Sequence, residues 1–505
     1  MSVAKTYTAQ PDVLGAVPVT IEADLSNGIH SFSVVGLAGK AIEEAKDRIN
    51  TAITHSGYKA PRNNNKRVII SLSPADIKKD GPLFDLPIAI AYLAAAGEIE
   101  PDNKKRLYAG ELSLDGAVKP IKGILSVVQT AKEYAYEEVV VPFENAKEAA
   151  LVEGIDIIPV KNLSELTAHI DSNHQHPETI IPQESTAIPL HWTSNEIKLE
   201  DIKGQTHAKR ALAIAAAGKH NIMLVGPPGT GKTMLAKALQ NILPPLTREQ
   251  ALEATAIHSV AGTLQSTVVA SPPFRAPHHT ASHTALVGGG TYPKPGEVTL
   301  AHLGVLFMDE FPEFDRRSID ALRQPLEDRI VSISRIQNTA QFPADFILVA
   351  ALNPYRSSEN GTTDYMQAIR ENYKNKISGP ILDRIDLWVE MPHVDYKTLQ
   401  TKTVQKDETE QVRNNILSAR VRMSKRKGRE EGFVNSQLSS KDIEEKIVLS
   451  TEVKQLLELS AEKLNLSPRS YHRLIKVAQT IADLDDEGTI NEQHILEALQ
   501  YRVKI

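Results

Sequence analysis

The sequence predicts a multidomain α/β protein in which a mixed N-terminal domain and a parallel-sheet core precede an all-α C-terminal domain. In the middle of the chain, short continuous apolar runs such as Ile222–Val225 and Val305–Met308 alternate with helical stretches, which is typical of parallel strands buried on both faces. From about residue 396 onward the strand signals fade and helical patterns dominate. A length of 505 residues suits three domains at roughly 150 residues each.

Changes of pattern along the chain divide it into four segments. The first combines strand-like runs at 67–72 and 138–141 with a buried helix at 86–96 that Gly97 should end. A polar stretch containing Pro177, Pro182 and Pro189 follows, and this composition is typical of a linker. The expected segments are an N-terminal domain at 1–170, a linker at 171–196, an α/β core at 197–395 and a helical lid domain at 396–505.

Composition excludes several functional classes. There is no cysteine, so disulfides, thiolate metal sites, iron–sulfur clusters and cysteine nucleophiles are excluded. The net charge of −6 provides no general attraction to nucleic acid, and any such contact must come from a local patch. No run of about 18 apolar residues and no N-terminal apolar signal segment occur. We therefore expect a soluble cytoplasmic protein without a membrane partner.

A glycine-rich loop follows the apolar run at 222–225 and matches the phosphate-binding pattern G-x-x-x-x-G-K-[ST] in full. Glycines in such a loop let backbone N–H groups face phosphates, and the following helix adds positive potential at its N-terminus. Lysine then reaches the β- and γ-phosphates of ATP, and the final hydroxyl coordinates Mg²⁺. The motif consists of Gly226, Pro227, Pro228, Gly229, Thr230, Gly231, Lys232 and Thr233.

Polar side chains end the next two apolar runs. Asp309 and Glu310 follow the run at 304–308, and the carboxyl end of a strand is where α/β sheets bind ligands. We expect Asp309 to hold Mg²⁺ and Glu310 to polarise the attacking water. The apolar run at 346–350 continues through residue 352, and Asn353 follows it. At this position the Asn353 amide can orient the attacking water or contact the γ-phosphate.

With these residues in place, the chain resembles an AAA+ ATPase and, more narrowly, the magnesium-chelatase-like family. The matching segments cover most of the ATPase core, and the resemblance extends over nearly the whole chain. It implies a homo-oligomer that forms a hexameric ring, with ATP and Mg²⁺ as ligands and DNA as a partner. The matching segments are 274–282 (FRAPHHTAS), 285–290 (ALVGGG), 295–297 (PGE), 300–302 (LAH), 322–327 (LRQPLE) and 378–386 (SGPILDRID).

The resemblance assigns roles to residues outside the phosphate-binding loop. It places Ile202, Gly204 and Gln205 against the adenine. It makes Arg384 the arginine finger, which enters the neighbouring subunit's site, and Arg469 the second sensor in the helical lid. A guanidinium is well suited to stabilise the charge on a γ-phosphate during transfer.

Two pore elements follow from the same resemblance. The insert at 274–296 contributes Lys294 as a candidate DNA contact, and the hairpin predicted around 330–338 contributes Arg335. His278 and His279 suggest a metal site, but without further ligands we expect packing or backbone hydrogen bonding. Many relatives carry a cysteine cluster after the Asn353 position, whereas the stretch 355–361 has none, so zinc is not expected.

Residues 1–170 resemble the proteolytic domain of Lon-type proteases, with matches at 79–82, 110–116 and 120–123. Lon-type proteases use a serine activated by a lysine. Leu83 stands where the serine is expected, and the stretch 124–126 (Ile-Leu-Ser) lacks the lysine. The expectation is a domain for assembly or partner binding, and an unorthodox dyad built from Ser126, Lys122 or Lys79 is the alternative.

Four functions remain open at this point. The leading hypothesis is a ring-forming ATPase and helicase that drives branch migration of DNA in homologous recombination or natural transformation. The second is a chelatase-type ATPase that remodels a partner protein, and the third is a nucleotide-gated scaffold. An ATP-dependent protease is disfavoured by Leu83 and Leu125.

Overall fold

A computed structural model describes most of the chain, and its contacts divide it into two compact units. The first unit comprises Met1–Pro189 together with Ala251–Val269, and the second comprises Leu190–Gln250 together with Ala270–Ile505. Residues 251–269 lie inside the expected α/β core in sequence but belong to the N-terminal unit in space. The described residues are 3–12, 15–193, 197–290, 294–334, 339–353, 377–395, 407–426, 428 and 432–502.

The first unit is a mixed α/β structure. Its strands are β1 Ala4–Asp12, β2 Gly15–Asn27, β3 Ser31–Val35, β4 Lys66–Ser73, β5 Arg106–Tyr108, β6 Glu111–Leu112, β7 Val118–Lys119, β8 Glu138–Pro142 and β9 Asp156–Val160. Its helices are α1 Lys40–His55, α2 Asp85–Ala96, α3 Ile124–Glu133, α4 Ala146–Ala149 and α5 Leu163–Ile170.

Two sheets organise the first unit. The larger has the order β1-β2-β4-β3, in which only β3 and β4 are parallel. The smaller is parallel, with the order β5-β8-β9. The apolar helix α2 packs on β1 and β2 and ends where Gly97 takes a left-handed conformation with φ 74°, which glycine adopts without strain. The strands and helix predicted from the apolar runs in this unit are confirmed.

The second unit contains the parallel sheet and the helical region that follows it. Its strands are β10 Ile222–Val225, β11 Phe274–Arg275, β12 Gly288–Gly289, β13 Lys294–Pro295, β14 Val305–Met308, β15 Ile330–Ser334, β16 Thr339–Pro343, β17 Ile347–Leu352 and β18 Leu387–Glu390. Its helices are α6 Thr206–Gly218, α7 Lys232–Ile242, α9 His283–Val287, α10 Glu297–Leu300, α11 Arg316–Ala321, α12 Arg323–Asp328, α13 Gly379–Leu382, α14 Glu408–Arg426, α15 Ser440–Lys446, α16 Thr451–Lys463, α17 Pro468–Leu484 and α18 Glu492–Gln500. Helix α8, Arg248–Ala261, begins in this unit and continues into the first.

Five parallel strands form the sheet of the second unit, in the order β11-β14-β17-β10-β18. Every residue of β10, β14 and β17 is buried, as the continuous apolar runs predict for strands covered on both faces. Helices α6, α7, α14 and α17 contribute to the same apolar core. The described residues after 406 form helices and no strand.

The hairpin expected after the core helices is present, because β15 and β16 pair antiparallel from Ile330 opposite Pro343 to Ser334 opposite Thr339. Arg335 belongs to the turn at 335–338, which is outside the described residues.

A buried polar network ties the helical region to the sheet. His220, just before β10, contacts the Asp386 carboxylate through Nδ1 at 3.3 Å and the Thr480 hydroxyl through Nε2 at 2.9 Å. On the same helix as Thr480, the fully buried Asp483 carboxylate accepts two hydrogen bonds from Arg426, at 3.0 and 2.5 Å. Asn435 donates to both Thr480 and Asp483, at 3.1 and 2.8 Å. These bonds fix α14 and α17 against each other.

Replacing Asp483 with alanine should strongly destabilise the second unit. The change leaves the Arg426 guanidinium, whose side chain is 12% exposed, without its carboxylate, and breaking a buried ion pair costs about 3–5 kcal/mol. Lys441→Ala is the control, because that side chain is 81% exposed and a surface pair contributes less than about 1 kcal/mol. Thermal and urea unfolding of both variants measures the difference, and equal midpoints would contradict the assignment.

Candidate nucleotide-binding site

The phosphate-binding loop connects β10 to α7 at the carboxyl edge of the parallel sheet. The Gly226 amide donates to the Leu352 carbonyl of the adjacent strand at 3.1 Å. A β-carbon at Gly226 would lie 2.5 Å from the Met391 carbonyl oxygen, so only glycine fits this position. Gly231 has φ 90° and directly precedes the first helical residue, Lys232. The loop therefore leads into a helix N-terminus, where free N–H groups favour an anion.

Lys232 lies within the loop. Its side-chain nitrogen donates to the carbonyls of Gly226 at 2.7 Å and Pro227 at 2.9 Å, and the residue is 7% exposed. Burial lowers the pKa of Lys232, although the Asp309 carboxylate opposes this. A second loop contact, from the Thr230 hydroxyl to the Pro227 carbonyl at 2.9 Å, stabilises the curvature around the ammonium group.

The acidic residues expected at the end of β14 lie beside this loop. The Thr233 hydroxyl is 3.5 Å from Asp309 Oδ2, so a hydroxyl and a carboxylate converge as Mg²⁺ requires. Glu310 follows with φ 50°, a left-handed conformation that is uncommon for a non-glycine residue. Its amide donates to Asp309 Oδ1 at 2.9 Å. Asn353 directly follows β17, the strand between β14 and β10, and so belongs to the same edge.

A histidine contact at Glu310 was not expected from the sequence. His279 Nδ1 is 3.1 Å from Glu310 Oε2, and the His278 ring lies against the His279 ring with centroids 4.2 Å apart. The prediction of packing or backbone hydrogen bonds is confirmed for His278, whose Nδ1 accepts from the Thr280 amide at 3.3 Å. His279 differs, because it contacts the carboxylate that is the candidate for activating water. The sequence contains no local pattern that predicts this contact, because 31 residues separate His279 from Glu310.

The segment before α6 also reaches the carboxyl edge. Ile202 is 5% exposed, and Gly204 and Gln205 have φ 67° and 54°. The Gln205 side-chain amide donates to the Pro392 carbonyl, just beyond β18, at 2.8 Å. These three residues therefore lie at the same edge of the sheet as Gly226, where the base of a nucleotide would extend.

The two arginines expected to act on the γ-phosphate lie elsewhere in the unit. Arg384 precedes β18, and β18 begins with Leu387 opposite Ile222, the first residue of β10. The Arg384 carbonyl accepts a hydrogen bond from the Asn221 side chain at 3.0 Å. Arg384 is thus at the amino edge of the sheet. The phosphate-binding loop begins at the other end of β10, and a strand of four residues at about 3.3 Å per residue separates the two edges by about 13 Å.

Arg469 accompanies Arg384 at this edge. Both guanidinium groups contact one carboxylate, that of Glu327 on α12: Arg384 through Nη2, and Arg469 through Nη2 at 3.0 Å. The structure therefore brings the two arginines together and separates them from the phosphate-binding loop of the same chain. Glu327 itself was not among the residues selected from the sequence.

The candidate DNA contacts are only partly described. Lys294 is exposed in β13, which pairs with β12 in a short antiparallel ladder. Arg335 and the cysteine-free stretch 355–361 lie outside the described residues.

The first unit shows how the Lon-like positions are filled. Leu83 is 4% exposed and Ser126 is fully buried. Within the described part of the chain the Ser126 hydroxyl has no hydrogen-bond partner. Lys79 is also buried and donates to the carbonyls of Gly36, at 3.2 Å, and Pro74. A serine nucleophile of the Lon type needs a basic partner, and the described residues place none within hydrogen-bond distance of the Ser126 hydroxyl.

Residues 251–269 cover the corner where the lysine of a Lon-type dyad is expected. The Gly123 amide donates to the Ser259 hydroxyl at 3.0 Å, and that hydroxyl donates to Glu148. Burial raises the pKa of Glu148, against the hydrogen bond from Ser259. A β-carbon on Gly123 would lie 3.2 Å from a Val260 methyl group. The start of α3 is therefore packed against the chain's own segment.

The residues at the carboxyl edge fit ATP and Mg²⁺. A buried ammonium inside the loop and the N-terminus of α7 suit phosphate groups, and the hydroxyl–carboxylate pair suits a hard cation. Among the residues that the structure describes, no cluster of three or more histidine, aspartate or glutamate side chains is arranged to hold a metal. Mg²⁺ bound to ATP needs no such cluster, because phosphate oxygens and water complete its coordination.

Three family models match successive parts of the chain. "Subunit ChlI of Mg-chelatase" matches residues 21–145, "Magnesium chelatase, subunit ChlI" matches residues 198–399, and "Magnesium chelatase, subunit ChlI C-terminal" matches residues 406–502.

Individual relatives extend over the full length. Competence protein ComM of Haemophilus influenzae is 41% identical over 512 residues, which cover 100% of this chain and 98% of the relative. The protein YifB of Escherichia coli is 40% identical over 513 residues, covering 99% of this chain and 97% of the relative. Lon protease 2 of Bacillus subtilis is 30% identical over 148 residues, which cover 28% of this chain and 26% of the relative.

Fold and site define a P-loop protein with a parallel α/β core, and its family is one of AAA+ ATPases. More narrowly, the full-length similarity shows that the chain belongs to the magnesium-chelatase-like family of the ComM and YifB type. Across the described ranges, none of the helices has the length and apolar character needed to cross a bilayer.

Gly226→Ala should prevent nucleotide binding, because the added methyl group would collide with the Met391 carbonyl and displace the loop. We expect at least about a hundredfold loss of affinity for a fluorescent ATP analogue, as a phosphate-binding group moved by about 1 Å loses its geometry. Gly488→Ala is the matched control, since its β-carbon would meet no atom within 4 Å. Normal ATP affinity in Gly226→Ala would contradict the role given to this loop.

Proposed function

We propose that the protein is a ring-forming AAA+ ATPase, hexameric and cytoplasmic, that couples ATP hydrolysis to branch migration or a related helicase-type remodelling of DNA. The observation that carries the proposal is the division of the ATP site. The loop with Lys232 is at one edge of the sheet, and the paired Arg384 and Arg469 are at the other. A chain divided in this way completes its site when copies join head to tail, and such contacts form a ring when the rotation between neighbouring copies closes.

At the carboxyl edge, the chain's own residues bind and orient the substrate. Lys232 and the amides from Gly226 to Thr233 hold the phosphates, while Ile202, Gly204 and Gln205 hold the base. Thr233 and Asp309 hold Mg²⁺, which neutralises phosphate charge when bound. Glu310 orients the attacking water and withdraws its proton, and Asn353 fixes the direction of attack.

At the amino edge, Arg384 and Arg469 serve the neighbouring copy. Charge develops on the equatorial phosphate oxygens during transfer, and a guanidinium in the right place stabilises it. The rate of ATP hydrolysis then depends on where the adjacent subunit places its arginines, and therefore on the geometry of the ring. That dependence is what a motor requires.

DNA is the proposed substrate of the motor. The H. influenzae relative with 41% identity is named a competence protein, which fits an activity on DNA taken up from outside. The net charge of −6 restricts DNA contacts to local elements. Exposed Lys294, in the β12–β13 ladder, and Arg335 are the candidates. They would hold the backbone rather than read bases, since a translocating motor passes over every sequence.

The first unit is proposed as an assembly or partner-binding domain. Leu83 replaces the expected nucleophile, and Ser126 is buried without a hydrogen-bond partner in the described structure. Neither feature supports proteolysis.

Mixed rings test whether Arg384 acts in trans. Arg384→Ala should bind ATP but hydrolyse it at least about a hundredfold more slowly, in the range of an absent arginine finger. Lys232→Ala should fail to bind ATP productively. Mixing the two inactive variants should restore part of the turnover, because some interfaces then join an intact loop to an intact finger.

An affinity tag on one variant, and recovery of the untagged variant with it, confirms that rings have mixed. Glu310→Gln in place of Lys232→Ala is the matched partner with an intact loop and an intact finger. It should restore turnover in the same way. No recovery in verified mixed rings would refute a trans role for Arg384.

DNA stimulation tests the substrate. ATP turnover should rise with added four-way junction DNA more than with linear duplex, and binding of labelled junction should need nucleotide. Binding should weaken steeply with salt, because phosphate contacts release condensed counterions. Lys294→Ala should reduce the stimulation and leave basal turnover unchanged, since Lys294 lies outside the phosphate-binding loop.

Exposed Lys441, on α15, supplies the matched control for Lys294: Lys441→Ala should be stimulated like the unmodified protein. A flat response of turnover to junction DNA, without an ATP-dependent shift of labelled junction at low salt, would refute the DNA hypothesis. It would favour an ATPase that remodels a partner protein.

A further inference from the structure

Glu327 occupies an unusual position between two like charges. It lies in α12, and its two carboxylate oxygens are divided between two arginines: Oε2 contacts Arg384 and Oε1 contacts Arg469 at 3.0 Å. No motif for ATP hydrolysis assigns a role to this glutamate, and it does not contact the phosphate-binding loop, which lies at the other edge of the sheet.

Arg384 is held rigidly in this arrangement. The residue is 9% exposed, and its Nη1 donates to the Pro380 carbonyl at 2.6 Å while Nη2 contacts Glu327. Its Nε is buried and has no acceptor within the described structure. The contacts of Nη1 and Nη2 therefore fix the orientation of the guanidinium.

Arg469 depends on Glu327 to a greater degree. Its side chain is 39% exposed and is held by its contact with Glu327. An arginine side chain has many rotamers, and fixing it costs entropy that a bound carboxylate offsets. Without Glu327, Arg469 would sample solvent rather than stay beside Arg384.

Glu327 shares its surroundings with several cations, of which Arg473 also contacts the Asp386 carboxylate at 3.6 Å. Arg473 and Lys476 lie on the same helix as Arg469, and all of them line one cavity of about 800 Å³ together with Glu327. Burial opposes ionisation of Glu327, but hydrogen bonds from Arg469 and Arg384 outweigh it and lower the pKa of the carboxyl group. Glu327 therefore remains charged at neutral pH and reduces the repulsion between the guanidinium groups.

We propose that Glu327 is a positioning residue that holds Arg384 and Arg469 side by side, so that the pair engages the triphosphate of the neighbouring subunit as one unit. This rests on the proposed trans action of the arginines. Glu327 acts through them and does not touch the nucleotide. Loss of Glu327 should slow turnover without weakening ATP binding, because the loop of the other subunit binds the nucleotide.

Glu327→Gln is the first test, since it keeps the shape but replaces one acceptor oxygen with a donor. We expect kcat to fall at least about tenfold, as a misplaced catalytic group loses that much or more, while KM for ATP changes by less than about twofold. Asp328→Asn is the matched control, because Asp328 is the adjacent exposed carboxylate on the same helix. It should match the unmodified protein in both parameters.

Mixed rings identify where the defect acts. Glu327→Gln mixed with Lys232→Ala should regain turnover, because the intact loop of the first variant meets the intact arginine pair of the second. A glutamate that acted on its own subunit's loop would give no recovery. If Arg384→Ala recovers with Lys232→Ala but Glu327→Gln does not, the role of Glu327 is refuted while the trans role of Arg384 stands.

Additivity provides a second measurement that does not require the Glu327 variant to fold. If the arginines act as a unit, Arg384→Ala combined with Arg469→Ala should lose no more kcat than the worse single variant, within about twofold. Multiplying losses would show that the arginines act independently, and this would overturn the proposal, as would unchanged kcat in Glu327→Gln.

Discussion

Strand direction is the constraint on which the rest of the second unit depends. All five strands of its main sheet are parallel, so every strand delivers its following residue to the same edge. Gly226, Asp309 and Asn353 each follow a strand and therefore meet. Arg384 precedes a strand, so its backbone lies at the opposite edge of the sheet in any conformation of its side chain. The separation of loop and finger follows from connectivity rather than from any individual contact.

The buried polar network around His220 fixes the helical region to the amino edge of the sheet. Asp386 is two residues from Arg384 and contacts His220, whose other ring nitrogen contacts Thr480 on α17. Arg469 lies at the start of that same helix. Since buried polar groups are costly to leave without partners, these hydrogen bonds hold the helix against the edge of the sheet. The backbone segments that carry the two arginines are thereby fixed relative to each other.

Local patterns in the sequence were sufficient for the elements of the core but not for the contacts between distant residues. Continuous apolar runs located β10, β14 and β17, because strands buried on both faces have no alternative composition. The phosphate-binding loop was predictable since its glycines are required by backbone geometry. Glu327 falls within the family-matching segment 322–327, but its role was not predictable, because that role depends on partners 57 and 142 residues away.

The segment 251–269 shows most clearly why domain boundaries resist prediction from sequence. In sequence it is flanked on both sides by the second unit, yet it belongs to the first, and its side chains Ala251, Ala254 and Ile257 are buried. Apolar periodicity reports that a helix has a buried face but not which core covers that face. The first unit is therefore joined to the ATPase chain three times, at 189, 250 and 269. A chain truncated to begin at Leu190 would expose the apolar face of α8 and leave Ser259 without Gly123 and Glu148. The first unit is thus built from two separate stretches of the sequence, and a boundary placed by sequence pattern alone does not separate it from the second.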